Sequence, residues 1–221
     1  MASAFIEDDL SASNAPLVIA GAGGFGREMA AWIALNFPQV PLLGFIDDTR
    51  PADQVLGPIQ GHVPLPDTRY LVAIGNGMGR AKVADTLLAQ GCVLVSFVSP
   101  SAMLCQTITG AKHLNIGGQC LISNDVRVGE HVLIQSFACI GHDAGIGRGA
   151  TIGSRAFVGG GASLGELSTV HPGAIVLPKV RVGVNATVGA GAVVIRNVPD
   201  GATVFGNPAR IIFRNDARAP A

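Results

Sequence analysis

The chain has 221 residues, with 15 basic and 15 acidic side chains and a formal net charge of zero. That length holds two modest domains. The charge balance offers no footprint for nucleic acid, and no run of eighteen apolar residues supplies a membrane span.

Residues 1–15 carry Glu7, Asp8 and Asp9 and lack a basic start followed by an apolar stretch. They read as a disordered tail, not a secretory signal. Residues 17–20 are an apolar run and form a buried strand. Gly21-Ala22-Gly23-Gly24-Phe25-Gly26 follows, and then helical patterning over 27–36. Strand, glycine loop and helix make a phosphate-binding arrangement, because backbone N–H groups and the helix N-terminus face the anion together. A second strand over 42–46 ends in Asp47-Asp48, carboxylates able to accept from a ribose or a base.

The pattern matches the dinucleotide fingerprint literally. Only about eighty residues precede the next unit, half of what a dinucleotide fold needs. A mononucleotide or nucleotide sugar fits better than NAD; glycines serving only a tight turn are the simpler alternative. Residues 49–68 are polar and proline-rich and form a surface loop. A third strand over 70–74 ends at Gly75-Asn76, a second helix spans 80–90, and a fourth strand spans 93–95. Alternation of strand and helix predicts a small parallel sheet. Ligands bind at the carboxyl ends of such strands, which gathers Gly23, Gly24, Phe25, Asp47, Asp48, Gly75 and Asn76 around one pocket.

From Val98 to Val194 the chain counts in sixes. Every sixth residue from Ile116 to Val194 is aliphatic, fourteen positions without an insertion. A small residue usually stands two before it, as at Ala138, Ala144 and Ala150, and a glycine often follows, as at Gly141, Gly147 and Gly153. This is the signature of a hexapeptide β-solenoid; a β-sandwich does not produce fourteen in-register hits. Residues two apart share a strand face, and the glycine is expected to let the backbone turn the corner. Three sides make a coil of eighteen residues, and stacked coils bury one another. The expected organisation is a tail over 1–15, an α/β Rossmann-like half domain over 16–97, a β-helix over 98–204, and a cap over 205–221. Cys92, Cys105, Cys120 and Cys139 show no close ligand spacing, so a reduced, cytoplasmic, metal-free protein is expected.

His142 falls two residues after the inward Ile140, at a corner, and points outward with Asp143 beside it. An exposed imidazole next to a carboxylate can take a proton from an attacking amine or hydroxyl. Gly160 lies one coil of eighteen residues further on and stacks beside His142. His171, a second candidate base, takes a slot where glycine is usual, on another side of the prism; it could line a coenzyme groove, but the simpler reading is a surface substitution. Lys179, Arg196 and Arg210 are charges near the same region.

Taken together, the stretch 21–26, Phe45-Ile46-Asp47-Asp48, Ala73-Ile74-Gly75-Asn76, the solenoid, Gly141-His142-Asp143 and Gly206-Asn207-Pro208-Ala209-Arg210 resemble the hexapeptide-repeat sugar acyltransferases. The likeness is to the sialic-acid O-acetyltransferase type, and within it to bacterial N-acetyltransferases of nucleotide-linked amino sugars of the bacillosamine pathway. It covers about 16–213. The resemblance implies a left-handed β-helix, a homotrimer, acetyl-CoA as donor and active sites between subunits. It implies His142 as general base, Asp143 as its tuning partner and the Gly160 N–H as oxyanion donor. Thr151, Pro172 and Ala190 would touch the coenzyme. Several relatives carry His where this chain has Phe25, which bears on the sugar or base preference. O-acetylation of a sugar hydroxyl is the alternative reaction, and a non-catalytic binding module the alternative class.

Overall fold

The computed structural model describes Ile6, 8–51, Asp53, 55–105, Ile108 and 111–214. The first lobe is a parallel sheet of β1 (Leu17–Ala20), β2 (Leu42–Ile46), β3 (Arg69–Val72) and β4 (Val93–Leu94), in the order β2-β1-β3-β4. Both faces of β1 are covered. Leu17 and Ile19 pack against Met29 and Ile33 of α1 (Gly24–Asn36), while Val18 and Ala20 pack with Ala84 and Leu87 of α2 (Gly77–Ala89). Both helices begin three residues before the expected positions, because each starts directly on its glycine-rich loop.

The remainder is a left-handed parallel β-helix of two-residue strands. Successive coils pair at an offset of eighteen, as Leu133 with Thr151 and Ile140 with Val158. The prism has three faces. The first carries Asn115, Leu133, Thr151, Thr169 and Thr187 in register. The second carries Met103, Leu121, Cys139, Phe157, Ile175 and Val193. The third carries Arg127, Gly145, Ser163 and Arg181. All fourteen periodic aliphatic residues point inward and form one core. The first rung, Phe97–Val98, already pairs with Asn115–Ile116.

The corners correct the sequence reading. The left-handed residue stands three after each aliphatic position, from Gln119 (φ 56°) through Asp143 (φ 59°) to Gly191 (φ 65°). Asn, Asp and long side chains carry most of these turns. The glycine directly after the aliphatic residue serves packing instead: a Cβ on Gly141 would lie 2.6 Å from Gly160 N in the next coil.

Residues 8–15 are not a loose tail. Leu10 is fully buried, Asp9 bridges Ser96, and the buried Arg69 guanidinium donates to the carbonyls of Leu10, Ser13 and Ala15. An aliphatic residue that fills the core and three carbonyls met by one guanidinium hold the segment. Residues 1–5, Glu7 and 215–221 lie outside the described residues. At the far end Ala202–Phe205 joins the first face and pairs antiparallel with Arg210–Arg214.

Candidate active site

The glycine loop sorts into two kinds of residue. A Cβ on Gly26 would lie 1.8 Å from Gly21 O, and one on Gly21 would lie 2.8 Å from Ala73 O. Those two glycines exist for close packing of helix and strand. Around Gly24 nothing lies within 4 Å of an added Cβ, and at Gly23 only the tip of Arg50 does, at 3.9 Å. Gly23 and Gly24, free of such contacts, face a cavity of about 400 Å³ that Gly21 also borders, together with Phe25, Asp47, Asp48, Thr49 and Gly75. Gly23 caps α1 without a side chain, so the first helical N–H groups face this cavity.

The two aspartates are partly consumed. Asp47 Oδ2 accepts from Ala22 N–H at 2.7 Å, and its Oδ1 accepts from the Thr49 N–H and hydroxyl. Burial pushes this carboxyl up, but the three hydrogen bonds outweigh it and hold it below the usual range. Asp48 Oδ1 accepts from the N–H groups of Ile59 and Gln60. Both residues therefore tie loops around the cavity, and Asp48 Oδ2 is the oxygen left for a ligand among the described residues.

A second cavity of about 490 Å³ opens between the lobe and the first face of the prism. Gly75, Asn76, Gln135, Thr151, Thr169 and His171 line it, and Pro172 also reaches it. Gly75 borders both cavities. Asn76 caps α2 through its side-chain oxygen, which accepts from Gly79 N–H at 2.8 Å. His171, which reads from the sequence as a surface substitution, stands in this cavity. Ala190, one coil above Pro172, is exposed and borders neither cavity. Gln135 escapes sequence reasoning because nothing in its spacing marks it, whereas Thr169 stands eighteen residues after Thr151 and is within reach of that count.

His142 stands apart from both cavities, at the corner between the second and third faces. Its side chain is 70% exposed, and Nδ1–H donates to Asp143 Oδ2 at 2.6 Å. That bond leaves Nε2 as the free acceptor. Gly160 lies against the ring: a Cβ there would sit 2.8 Å from Nε2. The backbone ladder at this corner uses Gly161 N–H, which donates to His142 O, and the Gly160 N–H donates to no backbone carbonyl among the described residues. Lys179 and Arg196 continue up the same corner, at register positions one and two coils beyond Gly161 and Gly160. Arg210 lies on the terminal hairpin. Among the described residues no group of three His, Cys, Asp or Glu side chains could hold a metal, and no helix is long and apolar enough to cross a membrane.

A parallel α/β lobe followed by a left-handed hexapeptide solenoid defines the fold class of this chain. Residues 16–87 match the PglD N-terminal domain family. The chain is similar in structure to perosamine N-acetyltransferase from Caulobacter crescentus, solved with CoA and GDP-perosamine. The two are 26% identical with a TM-score of 0.79, over 90% of this chain and 98% of that one. WeeI from Acinetobacter baumannii (23% identity, TM-score 0.65, 89% of this chain, 99% of that one) shares the fold. So does the acetyltransferase domain of PglB from Neisseria gonorrhoeae (23%, TM-score 0.63, 90% and 100%). No curated protein matches the sequence.

Proposed function

We propose that the protein is an acetyl-CoA-dependent N-acetyltransferase of a nucleotide-linked amino sugar, acting as a homotrimer. The observation that carries this reading is the outward His142, held by Asp143 and packed against Gly160, on a chain whose first lobe keeps a separate nucleotide-sized pocket. The likeness to an enzyme solved with CoA and GDP-perosamine supports the choice of both substrates.

A single chain leaves His142 and the pocket on different sides of the prism. The second face, which His142 borders, is an unbroken outward ladder of apolar residues, with Met103 63% exposed and Phe157 and Ile175 37% each. Separately, the terminal hairpin on the first face exposes Ile211, Ile212 and Phe213. A contiguous apolar surface like the second face marks an interface. Covering that face with a second copy puts His142 at a subunit boundary, where a neighbour's cavities can meet it.

The chemistry follows from the ring. Asp143 holds Nδ1–H, so Nε2 takes the proton from the sugar amine as the amine attacks the thioester carbonyl. The charge that develops on the carbonyl oxygen meets the Gly160 N–H, a donor of the kind whose removal costs about 10²–10³ in rate. The thiolate of CoA leaves and takes up the proton from the imidazolium. Asp143 is the only side chain bonded to His142 among the described residues, so the ring activates no serine or cysteine of this chain and transfer is direct. Lys179 and Arg196 meet the coenzyme phosphates along the same corner.

Incubation with acetyl-CoA and a panel of nucleotide-linked amino sugars tests the reading through release of free thiol. The expected product is an amide that survives mild base; a base-labile product would mean O-acetylation. Absence of thiol release across the panel, with no binding of CoA by calorimetry, would leave a binding module.

A further inference from the structure

The two cavities share a rim, and one buried side chain holds it. Arg80 lies in the first turn of α2 and is 1% exposed. Its Nε donates to His131 O at 2.7 Å, and Nη1 donates to Ile74 O and Gly75 O at 2.9 and 3.0 Å. Nη2 donates to Gly149 O and Ala150 O at 3.1 Å and to Thr151 Oγ1 at 3.0 Å. Every one of these acceptors is neutral. Burial lowers the guanidinium pKa to about 10, which still leaves it charged at neutral pH. The joint beside it is tight, since a Cβ on Gly77 would lie 2.3 Å from Gly149 O.

A charge buried among carbonyls is expensive, and an apolar contact could glue two lobes together with less penalty. What a guanidinium adds is direction. It has five donors and no acceptor. Thr151 Oγ1 must therefore accept from it, and the Thr151 proton must point elsewhere. Thr151 lines the 490 Å³ cavity, and so does Gly75, whose carbonyl the same guanidinium holds.

We propose that Arg80 is a positioning residue for acyl transfer: it sets the Gly75 rim against the prism and turns the Thr151 hydroxyl so that its proton is offered to the ligand in the cavity. This rests on the acyltransferase reading above. Arg80 touches no reacting atom and acts through Thr151 and the rim.

The test is a set of full-length variants: Arg80→Lys, Thr151→Val, Thr151→Ser and the double variant Arg80→Lys/Thr151→Val. Lysine keeps the charge but cannot reach three backbone segments. Arg80→Lys is expected to lower kcat for acetyl transfer at least tenfold while nucleoside diphosphate affinity, read by calorimetry, stays within twofold. Thr151→Val should fall in the same way, and Thr151→Ser should hold most of the activity. The double variant should fall no further than Arg80→Lys, since both act through one hydroxyl. A kcat per folded enzyme equal to wild type in Arg80→Lys would overturn the inference, as would losses that multiply in the double variant. Should Arg80→Lys fail to fold, wild-type kcat in Thr151→Val overturns it alone. A wild-type protein that transfers no acetyl group overturns the proposed function and this inference with it, whereas active wild type with unimpaired Arg80→Lys overturns only the inference.

Discussion

His142 and Gly160 occupy the same corner one coil apart, so close that a methyl group on Gly160 would lie 2.8 Å from Nε2 of the ring. Gly160 is not among the left-handed residues, so alanine there meets no backbone strain. The only cost of Gly160→Ala is displacement of the imidazole. Steady-state kinetics should show kcat lowered by about 10²-fold, with a thermal midpoint close to wild type. Wild-type turnover in this variant would remove the ring from the reaction.

His142→Asn should lower kcat by about 10²–10⁴-fold, the usual contribution of a positioned base, with the nucleotide-sugar Kd unchanged by calorimetry. Asp143→Asn should cost less, because an amide oxygen can still accept from Nδ1–H and keep the ring oriented. Asp143 sits at φ 59°, a conformation asparagine also tolerates, so its fold should survive and the kinetic change can be read directly.

The apolar second face makes a prediction about assembly. Phe157→Asp or Ile175→Asp places a charge on the proposed interface without touching the inward core. Analytical ultracentrifugation should show monomer, and acetyl transfer should be lost although His142 is intact. A complementary mixture is sharper still. Assayed with nucleotide sugar far below KM, where the weaker binding of Asp47→Asn limits the rate, a mixture of Asp47→Asn and His142→Asn subunits should exceed the sum of the two alone if one site draws on two chains. A variant monomer with full activity would place the whole site in one subunit.

Stability should fall in mild acid through His131. The ring is 1% exposed, its Nε2 has no hydrogen-bond partner, and it stacks on His113 with centroids 5.1 Å apart. Burial first, then the His113 and Arg148 charges, push its pKa down to about 4, against the opposing pull of Glu130 and Asp85. The unfolded chain binds the proton near pH 6.5, so between pH 6.5 and 4 the unfolded state holds more protons than the native one. Stability from this group is complete above about pH 6.5 and is lost as pH falls toward 4, by up to about 3 kcal/mol. Urea midpoints measured at pH 7 and pH 5 should show the drop. His131→Asn, at a left-handed corner that asparagine accepts, should flatten it.

Asp47 holds the glycine loop through Ala22 N–H. Asp47→Asn replaces an acceptor-only carboxylate with an amide that can turn a donor toward that N–H. The KM for the nucleotide sugar should rise about tenfold, with kcat nearly unchanged, because the change lies far from His142. An equal loss in kcat would mean that the loop also shapes the reacting geometry.

How much of this was written in the chain depends on whether the signal is periodic. A six-residue count over fourteen aliphatic positions leaves one architecture, since only a three-sided coil returns each apolar residue inward at that spacing. The same count places Gly160 beside His142 by arithmetic of eighteen. The glycine loop was legible as a strand-to-helix turn, but its glycines look alike in sequence. Only the tertiary structure shows that Gly26 packs against Gly21 O, that Gly23 and Gly24 face the pocket, and that Gly21 does both.

The sequence by itself determined the prism, the lobe before it and the outward imidazole with its neighbour, because repeat length and local order settle those. Tertiary structure alone decided that Leu10 is core, that His171 enters a cavity, and that Arg80 is buried among carbonyls of three segments. A single arginine on a short helix carries no pattern. Its meaning comes from the backbone of coils fifty to seventy residues away, brought against it only when the two lobes close.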